Sequence, residues 1–257
     1  MKISRKQFLK LTGASLLTLS GGKLWSALAY AGQAVAHPVQ LIRGKQLAML
    51  IDTRKCAEHP DCTGCIEACA KAHNIPSFKN PAHEVKWIWT EPFENVFPTE
   101  ETRFMPAGLK EKPVMVLCNH CDNPPCVRVC PTGATWKRED DGIVMMDWHR
   151  CIGCRYCMAA CPYGSRSFNW VDPRTALGDL NPVFPTRTKG VVEKCTFCPE
   201  RLAKGQLPAC VEACSAGALL FGDLNDPASA IRTQLETQRT IRRRPELGTG
   251  PNVYYVI

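Results

Sequence analysis

Three short apolar runs lie along the chain, and each leads into a cysteine-rich region. Residues 45–53 read Lys-Gln-Leu-Ala-Met-Leu-Ile-Asp-Thr, residues 113–118 read Pro-Val-Met-Val-Leu-Cys, and residues 143–147 follow the turn signal Asp140-Asp141-Gly142. Apolar runs this short, bounded by turn residues, are typical of strands. We therefore predict three strands of small sheets, each entering a cysteine loop. A short helix carrying the last cysteine of the group should follow the loop.

The first 36 residues have a different pattern, with five Lys or Arg, no Asp or Glu, and then small and apolar residues. The run from Ser4 to Lys10 resembles a twin-arginine export signal, with Lys6 in place of the second arginine. The uncharged stretch 11–22, which is interrupted by Gly21-Gly22-Lys23, is shorter than the roughly 20 apolar residues of a bilayer span. We predict a signal peptide over 1–36 with cleavage after Ala36. An uncleaved amphipathic anchor is the alternative.

Composition and charge exclude several classes of protein. The 257 residues are 45% hydrophobic and 22% charged, which argues against a disordered, collagenous or multi-span membrane chain. The net charge of +8 falls to +3 without the first 36 residues, which removes the electrostatic basis for nucleic-acid binding. Nucleotide and flavin motifs are absent, and so is a nucleophile–base arrangement.

The sixteen cysteines indicate the chemistry. They form four groups: Cys56-x5-Cys62-x2-Cys65-x3-Cys69, Cys118-x2-Cys121-x4-Cys126-x3-Cys130, Cys151-x2-Cys154-x2-Cys157-x3-Cys161 and Cys195-x2-Cys198-x11-Cys210-x3-Cys214. The third group, followed by Pro162, is the bacterial ferredoxin run, whose first three thiolates bind one cluster and whose fourth reaches a neighbouring cluster. The fourth group alone resembles a zinc site, but its ending at Cys214 to Ala218 repeats the ending of the second group. Disulfides, the usual use of cysteine in exported proteins, are disfavoured by the repeated two-residue spacings.

The first group is irregular and leaves two ligand sets open. A basic residue precedes Cys56, as one precedes Cys151 and Cys195, which favours Cys56 as a ligand and local charge compensation at an anionic site. The alternative, His59, keeps the standard spacing before Cys62, and imidazole can replace thiolate on iron. We take Cys56 as the ligand and keep His59 as the minority alternative.

Three stretches carry a family resemblance: Cys118 to Cys126, Cys151 to Cys157, and Cys161 to Gly164. The chain resembles the four-cluster ferredoxin-like subunits of dimethyl sulfoxide, polysulfide and nitrite reduction systems. The resemblance covers about Lys45 to Asp226 and a C-terminal arm. The export signal, the stretched first group and residues 68–76 are most similar to the periplasmic iron–sulfur subunits (DsrO type) of membrane complexes linked to dissimilatory sulfite reductase. Menaquinol oxidoreductases of archaeal sulfate reducers fit equally well.

The resemblance implies that the first group shares its clusters with the fourth, and the second with the third. We name the four implied [4Fe–4S] ligand sets A to D. They are Cys56, Cys62, Cys65 and Cys214 (set A); Cys69, Cys195, Cys198 and Cys210 (set B); Cys118, Cys121, Cys126 and Cys161 (set C); and Cys130, Cys151, Cys154 and Cys157 (set D).

The implied fold is α+β, with two pseudo-symmetric ferredoxin-like halves that each hold two [4Fe–4S] clusters, loop-rich insertions and a C-terminal arm. The boundaries are 37–112 for the first part of the outer half with an insertion, 113–170 for the inner half, 171–225 for an insertion and the rest of the outer half, and 226–257 for the arm. Tryptophans of the insertions, Trp87, Trp89 and Trp170, are predicted either to anchor partners or to shield clusters from water.

The implied function is single-electron relay, with no catalytic residue and no small-molecule substrate on this chain. The implied partners are a multi-span quinone-interacting membrane subunit (NrfD-like) and a cytochrome c or other redox subunit. The protein would lie on the periplasmic or extracytoplasmic face of the membrane and serve anaerobic sulfite or sulfate respiration. The alternatives are an electron-transfer subunit of a molybdopterin reductase for polysulfide or tetrathionate, and a disulfide-stapled envelope protein without redox function.

Overall fold

A computed structural model describes residues 44–257, and the predicted signal peptide lies outside them. Its largest sheet joins the two ends of the described chain. The first strand, β1 (Leu47–Asp52), pairs with an antiparallel strand, Leu219–Asp223, on one side and a parallel strand, Val253–Val256, on the other. A short strand, Thr240–Ile241, completes the sheet at its edge. Strand β1 is apolar because it is buried on both faces, as its central position requires.

Three antiparallel two-stranded ribbons accompany this sheet. They are formed by β2 (Ile88–Pro92) with β3 (Pro113–Leu117), β4 (Thr135–Lys137) with β5 (Val144–Met146), and β6 (Ser167–Phe168) with β7 (Val192–Glu193). The remaining strands of the large sheet are β8 (Leu219–Asp223), β9 (Thr240–Ile241) and β10 (Val253–Val256). The three strands predicted from apolar runs are confirmed as β1, β3 and β5.

The helices are short. They are α1 (Thr53–Ala57), α2 (Gly64–His73), α3 (Phe93–Val96), α4 (Ala107–Lys110), α5 (Pro125–Arg128), α6 (Tyr156–Ala160), α7 (Pro199–Leu202), α8 (Ala209–Glu212) and α9 (Ala230–Thr237). Single turns of 3-10 helix lie at Pro81–His83, Pro173–Ala176 and Pro245–Leu247. None of the helices within 44–257 is long and apolar enough to cross a bilayer.

The predicted helices exist, but the last cysteine of a group lies on a helix only in the first group. Cys69 lies within α2, whereas Cys130 follows the end of α5, and Cys161 follows α6 with an extended backbone. Both Cys130 and Cys161 precede a proline, and the proline ring disfavours helical backbone at the residue before it. The proline therefore ends each helix and turns the cysteine away from it.

The two pairs of cysteine-bearing helices pack in a similar way. Helix α5 packs against α6, and α2 packs against α8. The main apolar core contains four cysteines, Cys69, Cys118, Cys195 and Cys210, besides aliphatic and aromatic side chains. The cysteine loops are thus part of the core and not attachments to its surface.

Both insertions support the cysteine region. Residues 76–112 supply β2, and Trp87 is almost fully buried. Residues 171–189 include Arg187, which donates to the carbonyl of Asn74 at the end of α2. Arg187 also pairs with Glu193 at 2.7 Å, and both side chains are fully buried. The insertions therefore act as covers over α2 and β3.

The C-terminal arm holds the loop of the second cysteine group. Asp122 and Asn123 donate backbone hydrogen bonds to Gly250 and Thr249 at 2.8 and 2.9 Å, and Asn252 donates to Asn119 at 2.8 Å. The arm thus belongs to both the large sheet and a cysteine loop.

Candidate metal centre

The structure brings the sixteen cysteines together in the four predicted sets, although they come from distant parts of the sequence. One cavity is lined by the four cysteines of set A, a second by those of set C, and a third by those of set D. Each of the three cavities thus contains one complete set.

The cysteines of set B are grouped by their mutual charge interactions. Burial raises the pKa of Cys69 well above its usual value, and the neighbouring Cys195, Cys210 and Cys198 raise it further. All four are buried. Cys69 and Cys210 thus meet the Cys195–Cys198 loop, as the resemblance implies.

The four sets follow one another in a continuous order. Cys210 of set B interacts with Cys65 of set A, and Cys195 of set B interacts with Cys118 of set C. Cys157 of set D in turn interacts with Cys126 of set C. The order is therefore A, B, C, D.

Exposure differs along this order. Set B is wholly buried, and three of the four cysteines of set C are buried. Cys62 of set A is exposed, and Cys130, Cys151 and Cys154 of set D are partly exposed. The two ends of the series are thus accessible to solvent, while its middle is enclosed.

The electrostatics of the thiols explain why such sets need a cation. Burial, aided by neighbouring cysteines, raises the pKa of Cys65 to about 11. Burial likewise raises the pKa of Cys121 to about 12 and that of Cys210 to about 12. Four buried thiolates repel one another, so they ionise together only when bound to metal. The donor set therefore fits iron.

The cysteine loops use left-handed backbone where the chain must curve around a ligand. Phe197 and Cys198 have φ of 61° and 54°, and Arg155 has φ of 63°. At Gly153, where φ is 69°, an added Cβ would lie 2.4 Å from the carbonyl oxygen of Gly190. Glycine is thus required at Gly153 both by its backbone conformation and by this close approach.

Buried donors without partners also fit a cluster. Among the described residues, the side-chain amide of Asn119, Nε2 of His120 and the hydroxyl of Thr196 are buried and make no hydrogen bond. Asn119 lines the cavity of set C, and Thr196 lies between Cys195 and Cys198. Cluster sulfur atoms accept hydrogen bonds that tune the reduction potential. The residues present therefore fit [4Fe–4S] clusters.

Three buried cations lie near these cysteines. Lys194 is fully buried, and its Nζ donates to the carbonyls of Val144 and Cys195. Arg166 lines the cavity of set C, and Arg243 of the C-terminal arm interacts with Cys161. Lys194 is the basic residue before Cys195, which the sequence predicted to compensate charge at an anionic site. Arg243 is only 6% exposed and donates to the carbonyl of Tyr163, which follows Cys161 of the third cysteine group.

His59 and Cys56 both line the cavity of set A. Cys56 interacts with Cys62 and Cys214, and burial together with these two neighbours raises the pKa of Cys56. His59 is exposed to solvent at this cavity. Its role as the alternative ligand stays a prediction.

His73 is a site residue that sequence reasoning missed. Its Nδ1 lies 3.0 Å from the carbonyl oxygen of Cys69, and its Nε2 lies 3.0 Å from Glu200. Although burial lowers the pKa of His73, hydrogen bonds to Cys198 and Glu200 raise it to about 9. The imidazole stacks on Trp87, so Trp87 shields set B and is not a partner anchor. Sequence spacing gave no signal for the contact between His73 and Glu200, because 127 positions separate the two residues.

Comparison with known proteins places this geometry in a family. Residues 113–176 and 175–224 match the family of 4Fe-4S dicluster domains. The Hdr-like menaquinol oxidoreductase iron–sulfur subunit 1 of Archaeoglobus fulgidus is 41% identical, over 98% of this chain and 97% of that protein. The chain belongs to this ferredoxin-like iron–sulfur subunit family. Its members include a tetrathionate reductase subunit of Salmonella typhimurium, 37% identical over 100% of this chain and 89% of that protein. Protein NrfC of Escherichia coli is 37% identical over 100% and 96%.

The family fixes the general chemistry of this iron–sulfur subunit. It is a mixed helix and sheet protein with 4Fe-4S dicluster domains and belongs among the iron–sulfur electron-transfer subunits. The two relatives named first are subunits of a menaquinol oxidoreductase and of a tetrathionate reductase. The structure pairs none of its sixteen cysteines as disulfides.

Proposed function

We propose that this chain relays single electrons through four [4Fe–4S] clusters held by sets A to D. A bound cluster supplies a one-electron carrier, and its potential is set by the surrounding protein. The residues of this chain hold the carriers, exclude water and supply compensating charge. No residue of the chain acts on a small-molecule substrate in this proposal.

The observation that carries the proposal is the unbroken order of the four sets. Consecutive sets contain cysteines that interact with each other, so no long gap interrupts the series. The enclosed middle sets B and C are shielded from water, and the accessible end sets A and D leave room for exchange with other redox groups. This arrangement suits an electron relay with an accessible set at each end, and we call sets A and D its two terminals.

The two terminals imply two partners. We assign one to a multi-span quinone-interacting membrane subunit of NrfD type and the other to a cytochrome c or other redox subunit. The menaquinol oxidoreductase in the name of the Archaeoglobus relative supports the quinone side. The predicted signal peptide would place the chain on the extracytoplasmic face, and we propose a role in anaerobic sulfite or sulfate respiration.

We also propose that the fold consists of two pseudo-symmetric halves. The packing of α5 against α6 in the inner half corresponds to that of α2 against α8 in the outer half. Each helix pair lies beside two cysteine sets, which supports a repeated two-cluster unit.

The test is an anaerobic purification of the native complex followed by metal and spectroscopic analysis. We expect brown protein with about sixteen iron atoms per chain and several overlapping EPR signals on reduction. A menaquinol analogue added to the complex should reduce these centres, and it should not do so when the membrane subunit is removed. A colourless protein, or reduction that is independent of the membrane subunit, contradicts the proposal.

A second candidate is the electron-transfer subunit of a molybdopterin reductase. The tetrathionate reductase relative matches this chain over its full length, which favours this candidate for the partner at one terminal. Identification of the copurifying subunits decides between the two. A molybdopterin-containing subunit selects the reductase, and a cytochrome c selects the quinone-linked complex.

A further inference from the structure

Arg166 is a buried arginine that forms no ion pair with a carboxylate among the described residues, and its charge interacts with several cysteines and with Lys194. The side chain is only 5% exposed. Its guanidinium donates to the hydroxyl of Thr135 at 2.9 Å and contacts the sulfur of Met146 at 3.7 Å, and both of these partners are uncharged. Arg187, by contrast, is buried against the carboxylate of Glu193. A buried charge is costly unless a counter-charge accompanies it.

The cysteines around Arg166 belong to two different sets. Arg166 lines the cavity of set C together with Cys118 and Cys126. It also contacts the sulfur of Met146, which lines the cavity of set D, and its charge interacts with Cys157 of that set. Although burial lowers the pKa of Arg166, the charges of Cys126, Cys157 and Cys118 raise it above its usual value. The guanidinium therefore lies at the junction of sets C and D.

We propose that Arg166 is a positioning residue shared by sets C and D, where its fixed positive charge raises the reduction potentials of both clusters. The inference rests on the proposed function, because it requires clusters in both sets. Reduction adds one negative charge to a cluster, and a nearby buried cation stabilises the reduced form more than the oxidised form. Sets A and B contain none of the cysteines that neighbour Arg166, so their clusters lie outside its main influence.

The experiment is an EPR-monitored redox titration of the purified holoprotein and its Arg166 variants. Single Cys→Ser changes, Cys62→Ser for set A, Cys121→Ser for set C and Cys154→Ser for set D, first assign the signals. In Arg166→Gln we expect the clusters of sets C and D to become harder to reduce. The one-electron equilibrium of each should change by about tenfold, equivalent to about 59 mV, while set A stays unchanged.

Two further variants separate charge from packing. Arg166→Lys keeps the positive charge and should restore most of the potential of both clusters. Arg128→Gln removes the same charge from the exposed face of α5, close to Cys126, and should leave all potentials unchanged because water screens it.

The outcomes are distinguishable. If wild-type protein lacks iron in sets C and D, the proposed function fails. If Arg166→Gln retains the iron of the wild type but its potentials are unchanged, or if Arg166→Lys shifts them as much as Arg166→Gln, the inference about Arg166 is wrong while the relay stands. A purely structural role would lower the unfolding midpoint of Arg166→Gln and leave the potentials in place.

Discussion

The ligand sets show how far individual residue types specify the site. Cysteine spacing indicated iron–sulfur ligation, whereas the four sets were implied by the family resemblance. Cavities lined by sets A, C and D each hold four cysteines, and the cysteines of set B are mutual neighbours. The surrounding polar residues, including Asn119, His73 and Arg166, could not be predicted, because nothing in their local sequence distinguishes them from ordinary surface residues. Their roles arise only from burial beside a cysteine that belongs to another segment.

The ligand choice in set A is a first prediction at this scale. We expect Cys56→Ser to alter the EPR signal of the set A cluster and His59→Ala to leave it unchanged, because Cys56 interacts with Cys62 and Cys214 of the same set. Comparison of the two variants by EPR and iron content checks this assignment. A changed signal in His59→Ala alone would identify His59 as the ligand.

A glycine beside set D gives a second prediction. Gly153→Ala places a Cβ against the carbonyl of Gly190 and requires a left-handed alanine, so the Cys151–Cys154 loop must open. We expect loss of the set D cluster, seen as about four fewer iron atoms per chain. Gly164→Ala is the matched control, because Gly164 is also left-handed with φ of 65° but has open space around it. Gly164→Ala should lower the free energy of unfolding by about 1–2 kcal/mol and keep the iron. Equal iron loss in both variants would show that backbone conformation alone is responsible.

At the scale of elements, the strands were predicted better than their pairing. The apolar runs located β1, β3 and β5, because local pattern determines whether a strand forms. Their partners come from distant segments, such as β10 for β1 and β2 for β3, and no local signal records this pairing. Trp87 of the first insertion, predicted either to anchor a partner or to shield a cluster, is buried and stacks on His73 beside set B.

The buried ion pair between Arg187 and Glu193 gives a prediction about the second insertion. Arg187→Met leaves the Glu193 carboxylate buried with only neutral donors, Trp87 and Asn169, and removes the donors to the end of α2. Breaking such a pair costs about 3–5 kcal/mol. The midpoint of urea unfolding, followed anaerobically by tryptophan fluorescence, should therefore fall.

The control for Arg187 is Arg174→Met, which removes an exposed ion pair with Asp172 in the same insertion. Its urea midpoint should match that of the wild type, because solvent screens exposed pairs. Equal midpoints for Arg187→Met and Arg174→Met would mean that the buried pair does not stabilise the insertion.

At the scale of the whole molecule, the core depends on the metal. Cys69, Cys118, Cys195 and Cys210 lie within the main apolar cluster, so iron sites replace part of the hydrophobic core that a chain of this size would otherwise build. Removal of the iron would leave voids in this apolar core and thiols that lie close to one another. Folding and metal binding are therefore coupled.

The prediction is that iron removal by a chelator unfolds the tertiary structure. Near-UV circular dichroism should be lost, and dye binding to exposed apolar surface should rise. Reconstitution with iron and sulfide under anaerobic conditions should restore both signals. Retention of the near-UV signal in iron-free protein would show that the polypeptide holds its shape unaided.

The placement of β10 also sets the timing of maturation. Val253–Val256 follow all sixteen cysteines in the sequence, yet they lie between β1 and β9 in the large sheet. The sheet cannot close before β10 is synthesised, and neither can the loop that Thr249, Gly250 and Asn252 hold. A polypeptide cut short by an early stop codon after Gly248 would carry all sixteen cysteines without the strand that completes the sheet. Its second cysteine group would then lack the hydrogen bonds that hold the loop, although every ligand is present.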